Sequence, residues 1–298
     1  MSYVGRFAPS PTGPLHIGSL TTAVASFLHA RQSAGSWLVR IEDIDPPREV
    51  RGAADEILRT LEAYDLLWDG AAIFQSTRRA AYEDACSRPL SSGRAFRCSC
   101  TRSALRAEGD GPAGPYPGTC RLRTSHDDAT AVRVRVAEPS TVRFVDGLQG
   151  RIETDLAKVT GDYVIWRRDG LPAYHLAVVI DDAEEQITTV VRGVDLLDST
   201  AAHLHLQATL GLPSPAYFHL PVVVNSEGEK LSKQTGAAPI GRSNPSATAA
   251  MVLDLLGTQV PAELCGAPPR ELWTWASASW RIEGLRGRRA LVLPPAAE

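Results

Sequence analysis

The sequence predicts an α/β fold built on a parallel sheet with crossover helices. Three observations predict it. Strand-like and helix-like stretches alternate over the first two-thirds of the 298 residues. The N-terminal stretch runs strand, Pro/Gly turn, helix, strand, the order of a parallel crossover unit. The rhythm breaks once, in a cysteine-, glycine- and proline-rich segment at residues 98–120, and then resumes.

Taken in order, residues 3–7 read as a first strand and 17–31 as a helix opened by the Pro/Gly turn. Residues 37–42 form the next strand. Ala54, Ile57, Leu58 and Leu61 recur at helical spacing, which predicts a helix over 48–64. Val132, Val134 and Val136 alternate with Arg133 and Arg135, as in a half-exposed strand. Residues 173–182 fit either element, with helix favoured. Residues 187–191 read as a strand, and Leu197, Ala201, Leu204 and Ala208 mark a helix face. Residues 222–224 form a strand running into a polar turn. A helix is expected over 246–256, and the Pro- and Trp-containing stretch after it resists placement.

Composition narrows the function. With 44% apolar and 22% charged residues the chain is ordinary for a globular protein. No stretch approaches the roughly 18 consecutive apolar residues of a membrane helix. Met1-Ser2-Tyr3-Val4-Gly5-Arg6 lacks the basic-then-apolar pattern of a signal peptide, so a cytoplasmic monomer with no membrane partner is expected. A net charge of −3 is not that of a protein that coats nucleic acid, and any RNA contact has to come from a local patch. Five cysteines, an odd number without a secretion signal, argue against a disulfide framework. Three of them fall in one short segment, which points to a metal.

Two segments carry phosphate chemistry. In Arg6-Phe7-Ala8-Pro9-Ser10-Pro11-Thr12-Gly13-Pro14-Leu15-His16-Ile17-Gly18-Ser19 a strand ends, a rigid turn follows and a helix begins. A helix N-terminus offers unpaired N–H groups and partial positive charge to a phosphate. His16 can donate to a phosphoryl oxygen, and Gly18 permits close approach of a ligand to backbone. The plain alternative is a capped helix with a surface histidine. The second segment, Lys230-Leu231-Ser232-Lys233-Gln234, flanks a serine with two lysines able to stabilise a leaving pyrophosphate. Its plain alternative is a solvated loop.

Together, and in this order, the two resemble the HIGH and KMSKS signatures of class I aminoacyl-tRNA synthetases. Arg40-Ile41-Glu42-Asp43-Ile44-Asp45, Arg168-Asp169-Gly170-Leu171-Pro172-Ala173-Tyr174-His175-Leu176-Ala177 and Val191-Arg192-Gly193-Val194-Asp195 are similar to blocks of the glutamyl branch of that class. The similarity spans about residues 3–235.

The resemblance implies a Rossmann-like class I synthetase catalytic core with a zinc-binding insert and a mixed α/β subdomain. Its two halves would be residues 1–94 and 156–242, separated by the insert and connecting subdomain at 95–155 and followed by a short helical tail at 243–298. It implies activation of glutamate by ATP, with Mg2+ on the phosphates. Arg6 and Ser10 would hold the substrate glutamate, Glu42 would neutralise its ammonium, and Tyr174 and Arg192 would complete the pocket. His16, Gly18, Lys230 and Lys233 would act on ATP, His16 and Lys233 as the catalytic pair. Without the family pattern, Arg6 with Glu42 reads equally as an ion pair and Tyr174 as a core aromatic.

Cys98, Cys100 and Cys120 can make three corners of a tetrahedral zinc site, the plain alternative being three reduced cysteines with no metal, and general rules leave the fourth ligand open, with His126 nearby as the generic choice. Short members of the family use a tyrosine four positions before the last cysteine, where Tyr116 stands. The implied set is therefore Cys98, Cys100, Tyr116 and Cys120 around one structural Zn2+ per chain. Fewer than 70 residues follow Gln234, too few for the anticodon domain of long members. Short relatives attach glutamate to queuosine in the anticodon of tRNA(Asp) without needing tRNA for activation, and that acceptor is the expectation here. The alternatives are a glutamate-activating ligase for another acceptor and a non-catalytic RNA-binding relative of a synthetase.

Overall fold

The computed structural model describes residues 2–101, 103–105, 115–125, 129–231 and 238–294. β1 (Val4–Phe7) runs parallel to β2 (Ser36–Ile41), and β2 to the short β3 (Ile73–Phe74). Trp37, Val39 and Ile41, which share one face of β2, are fully buried, and Arg40 on the other face is buried too. A second parallel pair, β9 (Thr189–Gly193) and β10 (Ala216–Leu220), lies against the other edge of β1. There the Thr188 N–H donates to the Val4 carbonyl at 2.9 Å. The spatial order is thus β3, β2, β1, β9, β10, with the chain's two halves meeting between β1 and β9. In open α/β sheets a ligand crevice forms at the carboxyl ends of the strands flanking such a switch.

α1 (Ile17–Gln32) covers that junction and buries Leu20, Ala23, Val24, Phe27 and Leu28 against it. α2 (Ala53–Ala63) begins later than the expected residue 48. Pro46–Arg48 form a separate tight turn, and Gly52 caps α2 with φ +79°, a conformation that only glycine adopts without strain. Its Ile57 and Leu61 are fully buried, so the apolar periodicity is real and only the start was misplaced.

After α3 (Arg79–Ser91), β4 (Ala95–Cys98), β5 (Ala131–Val134) and β8 (Tyr163–Trp166) make an antiparallel sheet in the order β4-β5-β8. β6 (Thr141–Asp146) and β7 (Gly150–Asp155) form a hairpin, followed by the short α4 (Leu156–Val159). The turn of this hairpin reaches the core: the Gly147 N–H donates to the Tyr217 carbonyl at 2.8 Å. α5 (Tyr174–Glu184) settles the ambiguous stretch as helix, with Leu176 to Asp182 buried between the two halves of the molecule.

α6 (Leu197–Leu210) leads into β10 and then β11 (Val222–Val224). The segment from residue 243 is more than a helical tail. After α7 (Pro245–Leu255) and α8 (Pro269–Ser279), β12 (Ala290–Val292) pairs in parallel with β11. Trp273 donates its indole N–H to the Tyr64 carbonyl at 2.7 Å, and Trp280 donates to the Leu256 carbonyl at 3.1 Å. Both indoles are buried in the main core, with their polar atoms satisfied. Among the described residues no helix is long and apolar enough to cross a membrane.

Candidate active site

A cavity of about 360 Å³ opens at the carboxyl ends of β1 and β9. Arg6, Ser10, His16, Glu42, Tyr174 and Arg192, singled out from scattered parts of the sequence, all line it. The fold explains the convergence. Arg6 and Arg192 are the last residues but one of β1 and β9, Glu42 follows β2, and Tyr174 opens α5.

His16 is the N-cap of α1. Its Nδ1 accepts the Ser19 N–H at 3.3 Å, and its own N–H donates to the Ser19 hydroxyl at 2.8 Å. This reciprocal cap fixes the ring. With Nδ1 accepting, the proton of the neutral imidazole stands on Nε2, so that nitrogen is a donor. Gly18 sits close beneath: a Cβ there would come within 3.2 Å of the His16 ring and 3.5 Å of the Leu231 carbonyl. Beyond it, the Ile240 N–H donates to the Leu15 carbonyl at 2.9 Å, and Pro239 bridges to His16. Both flanks of the second signature therefore rest on the first. Lys233 lies outside the described residues, as does His126. Lys230 is half exposed and its ammonium is 2.7 Å from Asp195, a residue whose carboxylate packs against Gly193 of the cavity wall.

The wall behind Arg6 is a buried charge network. The Asp182 Oδ1 accepts from the Arg6 Nε at 3.1 Å and from an Arg40 Nη at 2.7 Å. Arg40 also pairs with Glu185 and lies 3.7 Å from Glu42. Burial would raise the Asp182 carboxyl, but the Arg6 and Arg40 guanidiniums hold it below its ordinary range. At Glu42 the balance goes the other way: burial pushes its pKa up to about 7 against the pull of Arg40 and Arg6. Glu42 is therefore a carboxylate poised to lose its proton when a cation enters the cavity.

Arg192 is held on every side. It donates to the His219 Nε2 at 3.0 Å, the Thr200 hydroxyl at 2.8 Å, the Leu196 carbonyl at 3.2 Å and the Tyr174 hydroxyl at 3.3 Å. His203 Nδ1 lies 3.3 Å from it. Sequence reasoning missed Arg40's and Asp182's supporting roles, and it missed His219 and Asp146. Asp182 fell in the stretch that fitted two elements, and a lone histidine on a strand gives no spacing signal at all.

The cysteine cluster is a separate site. The sulfurs of Cys98, Cys100 and Cys120 all lie within 4.8 Å of one another, with Cys100 and Cys120 at 3.5 Å. The Tyr116 hydroxyl sits among them, 3.4 Å from Cys98 Sγ and 3.7 Å from Cys100 Sγ, and accepts the Cys120 N–H at 2.8 Å. A tetrahedral ion with Zn–S of about 2.3 Å spaces its ligand atoms about 3.5–3.8 Å apart. The donor set thus fits one such ion. Burial opposes ionisation of Cys120, but hydrogen bonds from Tyr116 and the Ser99 backbone bring its pKa down to about 7. The Arg133 guanidinium stacks 4.1 Å from the Tyr116 ring centre and donates to Cys98 Sγ at 3.4 Å, which offsets anionic charge in the cluster. Cys86 and Cys265 lie outside this cluster.

Comparison with known proteins gives a consistent picture. The family model of tRNA synthetases class I (E and Q), catalytic domain, matches residues 3–244. A glutamyl-Q tRNA(Asp) synthetase of Methylococcus capsulatus is 52% identical over 290 residues, covering 96% of this chain and 94% of the relative. One of Pseudomonas aeruginosa is 48% identical over 293 residues, covering 98% of each. Among solved structures, the glutamate tRNA ligase of Elizabethkingia meningosepticum, in complex with its amino acid, superposes with a TM-score of 0.81 at 26% identity. That match covers 98% of this chain and 68% of the ligase.

Proposed function

The chain belongs to the class I tRNA synthetases of the glutamate and glutamine branch, and from that premise we propose that it activates glutamate with ATP, without tRNA, and passes the glutamyl group to queuosine in the anticodon of tRNA(Asp). The observation that carries the chemistry is the single cavity lined by Arg6, Arg192, Glu42 and the His16 cap of α1. The acceptor rests on relatives bearing that name, which match over nearly their whole length.

In this reading Arg6 and Arg192 face the glutamate carboxylates, for which a guanidinium fork is the matching donor. Glu42 pairs with the α-ammonium, Ser10 lies beside Arg6, and Tyr174 donates its hydroxyl. Burial raises the Tyr174 pKa, so the phenol stays protonated. The α-carboxylate attacks the α-phosphorus of MgATP. The bond to the pyrophosphate oxygen breaks and its electron pair leaves with pyrophosphate, giving glutamyl-adenylate. His16 donates from Nε2 as charge develops on the phosphoryl group, Gly18 lets the nucleotide approach the backbone, and Lys230 and Lys233 answer the phosphates. Positioning and charge do the work, with no protein nucleophile. A hydroxyl of the acceptor nucleoside then attacks the glutamyl carbonyl, the bond from that carbon to the phosphate oxygen breaks, AMP leaves with the electron pair, and the hydroxyl proton passes to solvent.

Cys98, Cys100, Tyr116 and Cys120 would hold Zn2+, which ties the insert together and takes no part in the reaction. The test is glutamate-dependent exchange of labelled pyrophosphate into ATP with no RNA present, with aspartate and glutamine as controls. Exchange with glutamate alone is expected. Exchange that appears only after tRNA is added would contradict autonomous activation.

A further inference from the structure

We propose that Asp146 and His219 are positioning residues for glutamate: by fixing which nitrogen of His219 carries the proton, they lock the Arg192 guanidinium in the orientation in which it borders the cavity. This rests on the reading of Arg192 as a glutamate contact. His219 on β10 is fully buried, and Asp146, at the end of β6, is 2% exposed. The imidazole Nδ1 is 2.6 Å from Asp146 Oδ2, and its Nε2 is 3.0 Å from the Arg192 Nε. An arginine Nε always bears its proton, so the histidine Nε2 has to accept. The ring proton therefore stands on Nδ1 and is donated to the carboxylate. Burial first, and the Arg192 charge after it, keep the ring neutral against the pull of Asp146.

The carboxylate is fixed in turn. Its other oxygen, Oδ1, accepts three backbone N–H groups: Leu148 at 3.0 Å, Gln149 at 2.9 Å and His219 at 3.2 Å. Both oxygens thus act as acceptors, and the β6–β7 hairpin is coupled to the cavity wall through one ring. With its Nε so held, Arg192 keeps three long contacts, to the Tyr174 hydroxyl, the Leu196 carbonyl and His203 Nδ1, that a carboxylate can share.

This geometry makes Asp146→Asn a sharp probe. The three backbone donors require oxygen at the Oδ1 position, so the amide NH2 falls at the Oδ2 position, facing His219 Nδ1. That nitrogen must then accept, and the ring proton moves to Nε2, donor against donor with the Arg192 Nε–H. Nothing else in the site changes size. The expected result is a glutamate KM raised at least about tenfold, the cost of one buried polar conflict, with the ATP KM within about twofold of wild type. His219→Phe keeps a ring in the space but removes both nitrogens, so no relay remains. In that background the further change Asp146→Asn is expected to add less than about twofold.

Pyrophosphate exchange kinetics on the four proteins (wild type, each single variant, the double variant) test the relay, with thermal melts to confirm folding. An Asp146→Asn effect of the same size with and without His219 would make Asp146 merely a turn residue and overturn the proposal, as would an unchanged glutamate KM in Asp146→Asn. Arg192→Lys separates the two readings. If it leaves the glutamate KM unchanged, the glutamate role of Arg192 fails and the relay falls with it. If it raises that KM while Asp146→Asn does not, the relay alone is wrong.

Discussion

The cavity and the cysteine cluster gather their polar side chains in opposite ways. The cluster draws Cys98, Cys100, Tyr116 and Cys120 from one short stretch, and its soft donors crowd together with Arg133 beside them. The cavity draws on residues from Arg6 to Arg192, carried by three strands and two helices, and its cations are already matched to Asp182 and the His219–Asp146 pair. A local site of this kind depends on what it binds to hold its donors. A dispersed site depends on the fold, and its polar groups are satisfied before substrate arrives. Damage to the first should stay in the insert, whereas damage to the second should spread into stability and catalysis together.

The largest effect expected from this contrast is in the cavity wall. Asp182→Ala leaves Arg6 and Arg40 without their shared carboxylate in a buried setting, and breaking such a network typically costs about 3–5 kcal/mol. Denaturant unfolding should show that loss, and a change below about 1 kcal/mol would mean that Arg40's other acidic neighbours suffice. At the cluster, Tyr116→Phe removes one of the four donors and should weaken zinc binding by at least about 100-fold, more than an outer partner of a metal site contributes. Competition with a chromophoric chelator measures this. The same variant, zinc-loaded, should keep its exchange activity, and a parallel loss of both would show the two sites to be coupled.

A third expectation concerns pH. Glu42 titrates at about 7 and must be a carboxylate to pair with an ammonium. Above that value it is ionised. Below it, protonation competes with glutamate, so the glutamate KM should rise by up to about tenfold per pH unit on going down through 7. Glu42→Gln should flatten that profile while weakening glutamate at every pH, and a flat profile in the wild type would remove Glu42 from the ammonium's side of the pocket. The smallest effect is at Gly18. A Cβ at 3.2 Å from the His16 ring forces a shift of a few tenths of an ångström. Gly18→Ala is expected to lower the exchange rate a few-fold, about 1 kcal/mol, with the melting temperature nearly unchanged.

The same contrast explains what was legible in the sequence. The three thiols could be read from spacing because they are neighbours in the chain, although spacing left the fourth ligand open, with His126 the generic choice and Tyr116 indicated only by the resemblance. The structure brings the Tyr116 hydroxyl among the sulfurs; His126 lies outside the described residues. The cavity could be read only through a resemblance, because nothing local links Arg6 to Arg192. The supports behind the pocket were not legible at all. Asp146, Asp182 and His219 belong to no motif, lying on a hairpin end, a helix and a strand, and their meaning is a matter of which elements the fold lays side by side. For the same reason the stretch after residue 256 resisted placement: Trp273 and Trp280 find their partners in Tyr64 and Leu256, and β12 finds β11, only in the folded chain.

The central claim, glutamate activated on one cavity and handed to queuosine, is met most directly by transfer of labelled glutamate from ATP-activated enzyme to purified tRNA. Three acceptors suffice: tRNA(Asp) with queuosine, tRNA(Asp) with unmodified guanosine at the same position, and tRNA(Glu). Label on the queuosine-containing tRNA alone is the predicted result. Label on tRNA(Glu), or none on queuosine-containing tRNA(Asp) from a protein that catalyses exchange, would contradict it.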